Sequence, residues 1–90
     1  MPSKEEYQGL LSDLIKKQMV MLGPNLVISK ARQVAGLEVS DEGVVVVISG
    51  DPKATLEKLA NIFMELSGNI ARMTLNALLE KYPSIKNLNS

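Results

Sequence analysis

The side chains that carry most enzymatic chemistry near neutral pH are missing from this chain: its 90 residues include no His and no Cys. That removes the common zinc sites, the thiol nucleophile, the disulfide and the imidazole general base together. Carboxylates, phenols and amines remain. Glu5-Glu6 and Asp41-Glu42 are adjacent pairs. Neighbouring side chains diverge on a helix and need not converge in a turn, so both pairs read as solvated or capping groups rather than an acid–base couple. Tyr7, Tyr82 and the lysines have no evident task without a cleft to hold them. Gly50-Asp51-Pro52 marks a strand-to-helix junction, where free helix amides can hold a phosphate. Here the Asp51 carboxylate would occupy that position, Pro52 removes one amide, and no G-x-G-x-x-G or Walker pattern is present. The residues therefore predict no catalytic group, no bound cofactor and no metal, and the chain is expected not to be an enzyme.

Charge gives a second constraint. Ten Lys and Arg balance ten Asp and Glu, whereas nucleic-acid affinity rests largely on net positive charge. Only 3% of the chain is aromatic, which leaves little for base stacking. Nucleic acid is not an expected partner. The charge is nevertheless segregated: Leu14 to Gly36 holds Lys16, Lys17, Lys30 and Arg32 with no acid, and Leu37 to Asp51 holds Glu38, Asp41, Glu42 and Asp51 with no base. Such a division suits an electrostatic docking surface or two faces complementary within the fold. Met19, Met21, Leu22 and Met73 offer an alternative, a monomer binding a small apolar ligand or peptide in an adaptable groove.

The elements that must position these residues follow from periodicity. Ser3-Lys4-Glu5-Glu6 has the form of a capping box. Tyr7, Leu10, Leu11, Leu14, Ile15 and Leu22 then form a helical stripe interrupted by Gln18, with Lys4, Glu5, Ser12, Asp13, Lys16 and Lys17 expected to face water. Gly23-Pro24 ends this helix. Residues 24–35 read as a second helix, Val27, Ile28, Ala31, Val34 and Ala35 being at helical spacing; a short strand over Asn25–Ser29 is the competing reading. Leu37–Val39 and Val44–Ser49 are strands joined by Ser40-Asp41-Glu42-Gly43, whose length favours a bulge or a type I turn with a left-handed Gly43. After the Asp51 cap, Leu56, Leu59, Phe63, Leu66, Ile70, Met73 and Ala77 keep an a/d repeat in phase through Ser67-Gly68-Asn69. That predicts one long C-terminal helix, bent if anything at the glycine. Pro83 should end it, with 84–90 a polar tail and 1–83 a single small domain.

The fold class is thus α+β in the order α-α-β-β-α, a two-stranded antiparallel hairpin packed on helices. An isolated hairpin is marginal in water. Strict alternation would put Val44, Val46 and Ile48 on one face and Val45 and Val47 on the other, leaving a second apolar face to cover. Pairing of hairpins across a homodimer would cover it and would shield the strand edge. Beyond the a/d seam, Leu75, Leu78, Leu79 and Tyr82 make the end of the long helix apolar most of the way round. The expected function is a protein–protein interaction or dimerisation module, such as a regulatory or sensory accessory domain. Its interface residues would be Val45, Val47, Leu75, Leu78, Leu79 and Tyr82, engaging a second copy or a further protein. The N-terminus has no signal-peptide h-region and no apolar run approaches the ~20 residues of a membrane span, so a cytoplasmic protein with no membrane contact is expected.

Overall fold

The computed structural model describes residues 2–88. The chain runs α1 (Lys4–Leu22), α2 (Pro24–Ala31), β1 (Leu37–Val39), β2 (Val45–Ile48), α3 (Pro52–Ser67), α4 (Asn69–Leu79) and α5 (Pro83–Leu88). The order read from the sequence holds, with its last helix divided into α3 and α4 and a further short helix, α5, after it.

Helix α1 starts where its cap requires, the Ser3 hydroxyl accepting the Glu6 amide at 3.1 Å. It buries Tyr7, Leu10, Leu11, Leu14, Ile15 and Gln18. Ser12 is also buried rather than facing water, because its Oγ accepts the Val45 amide at 2.8 Å and so joins α1 to β2. The segment after Pro24 is helical, not extended; it buries Val27, Ile28 and Ala31 and stops at Ala31, short of Gly36. Val34 is buried from the turn that follows.

The hairpin departs from simple alternation. Leu37 pairs with Ile48 and Glu38 with Val47, but Val39 pairs with Val45, so one step along β1 matches two along β2. Val46 is the extra residue of a bulge. Val45 and Ile48 turn inward, while Val46 and Val47 both stay exposed. The expected sharing of a face by Val45 and Val47 is therefore corrected: a bulge shifts the pleat by one residue and sends the two to opposite sides. The turn does have Gly43 at φ +84. A Cβ there would lie 2.5 Å from the Met19 sulfur and 3.3 Å from Ile15, so the turn seats directly on α1.

Helix α3 begins at Pro52 under Asp51, whose Oδ1 accepts the Lys53 amide at 3.1 Å. Leu56, Leu59 and Phe63 fill the core. The predicted helix does not run on unbroken: Gly68 adopts φ +60, ψ −133, ending α3 and redirecting the chain into α4. Only glycine takes that geometry without strain. The predicted polar tail also differs, since 83–88 form α5 and anchor Ile85, fully buried, in the core. The remainder of that tail, residues 89–90, lies outside the described residues. One hydrophobic core joins all seven elements, with Leu10, Leu11, Leu14, Ile15, Leu59 and Phe63 at its centre.

Candidate functional site: a lysine-rimmed trough between α1 and α4

Helices α1 and α4 run antiparallel, since the Tyr82 hydroxyl donates to Asp13 Oδ2 at 3.0 Å at one end and the Ser67 hydroxyl donates to Gln18 Oε1 at 3.0 Å at the other. Their outer surfaces form a shallow trough. On α1 the wall is Asp13, Lys16, Lys17, Val20 and Met21, spaced 3, 1, 3, 1 along one helical face. On the other side Ile70, Met73, Thr74, Ala77, Leu78 and Lys81 repeat at 3, 1, 3, 1, 3. Two adjoining depressions of about 420 and 520 Å³ share Lys17, Thr74, Leu78 and Lys81, so they are parts of one surface.

The trough is apolar where a folded domain normally is not. Val20 is 88% exposed, Met73 69%, Ile70 54% and Met21 44%. Single exposed apolar residues need no explanation, but four on one concave face form a patch of the kind that marks binding sites. The Thr74 hydroxyl is turned back onto the Ile70 carbonyl at 2.8 Å, so it offers the floor little free polarity. Around this floor stand Lys16, Lys17 and Lys81, none with an ion-pair partner among the described residues. The one acid at the rim, Asp13, is held by Tyr82. Burial and that hydrogen bond push the Tyr82 phenol above its ordinary pKa; burial, then Asp51 and Glu57, do the same for Tyr7. Neither phenol is poised as a base near neutral pH.

Three other carboxylates serve local structure. Asp41 pairs with Arg32 at 3.0 Å, Asp51 caps α3, and Glu80 pairs with Lys86. The Arg32 guanidinium also donates to the Val39 carbonyl from Nε and Nη2 at 3.2 and 2.9 Å, so one residue of the basic segment is tied directly to the acidic hairpin. Among the described residues, no three acidic side chains gather as metal ligands would. Among the same residues, no helix is long and apolar enough to cross a membrane.

The six residues expected at an interface do not form one surface. Val45 and Leu78 are buried in the chain's own core, and Leu75, Leu79 and Tyr82 pack half-buried against it. Val47 alone of the six is exposed. Of the four Met and Leu residues read as a groove, Met21 and Met73 line the trough, whereas Met19 lies under Gly43 and Leu22 packs on the core. The residues missed were Val20 and Ile70 as partners in one patch. The available signal was the a/d repeat itself, which counts Ile70, Met73 and Ala77 as seam positions although the break at Gly68 swings them outward.

Compared with protein-family models, curated proteins and solved structures, the chain matches none. The fold and the trough together define a small α+β domain with an exposed apolar face between α1 and α4.

Proposed function

We propose that this chain is a non-enzymatic protein-interaction module and that the α1–α4 trough is its docking surface. The observation carrying the reading is the gathering of Val20, Met21, Ile70 and Met73, all solvent-facing, on one concave face. Burying such side chains against a partner is worth about 1.5–3 kcal/mol each when complete. The capping and pairing roles of Asp13, Asp41, Asp51 and Glu80 agree with a binding rather than a catalytic task.

Site-directed photo-cross-linking tests the proposal. A benzophenone side chain at Met73 should give a discrete adduct in cells, while the same group at Asn61, exposed on α3 outside the trough, should not. Equal labelling from both positions, or none from Met73, removes the trough as a docking site.

Self-association through the hairpin is a second reading, favoured by the exposure of Val46 and Val47. Outward backbone groups are already engaged: the Val45 amide by Ser12, the Val46 carbonyl by Gln8 Nε2 at 3.2 Å, and the Val39 carbonyl by Arg32. Contact between copies would thus use the outward valine side chains rather than a continuous four-stranded sheet. Light scattering on a sizing column over a wide concentration range tests it, and a constant monomer mass rejects it.

A further inference from the structure

We infer that the occupant of the trough is an acidic amphipathic helix of another protein, an inference that rests on the docking reading above. Three observations favour this chemistry. The first is shape: a furrow between two antiparallel helices accepts the ridge of a third, with anchors at i, i+3, i+4 and i+7. The α1 wall from Asp13 to Met21 spans about 12 Å, which matches roughly two turns of a partner helix. The second is charge. Lys16, Lys17 and Lys81 rim the apolar floor from both walls without ion-pair partners among the described residues, and Asp13 is already held by Tyr82. A chain whose formal charge is zero thus concentrates positive charge around its most exposed apolar face. Carboxylates flanking a partner's apolar stripe would meet those ammonium groups at the rim, where such contacts raise the association rate and select the partner. The third concerns a second copy. Two copies meeting through this trough alone would bring two lysine rims together, a like-charge arrangement that disfavours self-docking here.

Methionines at 21 and 73 suit such a partner. Their unbranched side chains repack around differing anchors, so recognition would depend on the apolar stripe and flanking acids more than on one exact sequence.

The test uses two labelled 18-residue helical peptides with an identical Leu stripe, one flanked by Glu and the other by Lys, and fluorescence anisotropy on the full chain. Native protein should bind the Glu peptide, and binding should weaken several-fold between 50 and 500 mM salt as screening shortens the reach of the rim charges. The triple variant Lys16→Glu, Lys17→Glu, Lys81→Glu alters only exposed positions, which circular dichroism verifies. It should bind the Glu peptide about tenfold more weakly and recover affinity for the Lys peptide, since reversing rim charges reverses selectivity. Met73→Glu should also weaken the Glu peptide. Equal binding of both peptides by native protein, or indifference to the triple change, would overturn the acidic-partner assignment. Failure of both peptides to bind would do so as well, and so would preferential binding to phosphatidylglycerol vesicles, which indicates a membrane surface. If the Met73 cross-link persists while the peptides fail, the docking reading survives and only the partner class is wrong; if both fail, the trough is not a docking site.

Discussion

The bulge at Val46 makes a prediction that distinguishes neighbouring residues of one chemical type. Val45, Val46 and Val47 are consecutive valines, yet Val45 is 4% exposed while Val46 and Val47 are 52% and 37% exposed. Replacing Val45 with Lys forfeits about 1.5–3 kcal/mol of apolar burial. It also forces an ammonium group into the core beside α1 or drags β2 outward to let the side chain reach water, at a further cost of several kcal/mol. A domain of 90 residues has about 5–14 kcal/mol of stability in all. Val45→Lys should therefore remove most of it and leave the chain largely unfolded at room temperature.

At Val47 the same substitution meets different surroundings. The side chain already faces water, and its cross-strand neighbour is Glu38. Losing a β-branched residue costs up to about 1 kcal/mol, and a facing opposite charge returns about 0.2–1 kcal/mol, so the net change is close to zero. Val46→Lys should likewise stay within about 1 kcal/mol. Urea unfolding followed by far-ultraviolet circular dichroism at pH 7 measures all three. Strict alternation predicts that Val45 and Val47 respond alike and Val46 differently; the bulge predicts that Val46 and Val47 respond alike and Val45 differently. Equal losses at 45 and 47 would refute the register. A Val47→Lys chain that stays folded also gives a clean probe of self-association, since any fall in its mass relative to native protein reports on the hairpin face alone.

Three other outcomes follow from single contacts. Gln18 is fully buried and its Nε2 has no hydrogen-bond partner among the described residues; Gln18→Met removes an amide costing about 1–3 kcal/mol and one bond worth about 0.5–1.5 kcal/mol, and Ser67 keeps the Phe63 carbonyl at 3.1 Å. Thermal unfolding should show a gain of about 1 kcal/mol, or roughly 4–8 °C, and a loss would mean that the amide is satisfied in solution. Gly68→Ala meets no atom within 4 Å of the added Cβ but would sit at φ +60, so it should cost about 1–3 kcal/mol by backbone strain alone, and an unchanged urea midpoint would refute that geometry. Both phenol pKa values are raised in the folded state, so folding holds the Tyr82 proton more tightly than the unfolded chain does: that stability is intact below about pH 10, the unfolded value, and declines as pH climbs through the folded one. Tyr82→Phe should flatten this alkaline decline in pH-dependent urea titrations, and an unaltered slope would assign it to other groups.

Features set by a local rule acting alone are legible in this sequence, and those set where local rules meet a global one are not. The Ser3 and Asp51 caps, Pro24 and Pro52 at helix starts, and the left-handed Gly43 are decided by backbone chemistry within a few residues, and the structure shows each. The valine run carried no such local mark. Five consecutive apolar residues fit either register, and what selects Val45 for the core is its amide's bond to Ser12, which lies 33 residues earlier. The a/d repeat misled for a related reason. Its phase survives Gly68, but phase states only which residues would share a seam if the helix stayed straight. In the fold Leu56, Leu59 and Phe63 reach the core, whereas Ile70 and Met73 are turned outward onto the face that α4 shares with α1. The proposed docking surface is thus present in the sequence as surplus hydrophobicity, in seam residues such as Ile70 and Met73 that the core does not bury. Its location was not legible, because that depends on a single glycine backbone angle and on which of α1's polar positions, Lys16 and Lys17 among them, the turned helix comes to face.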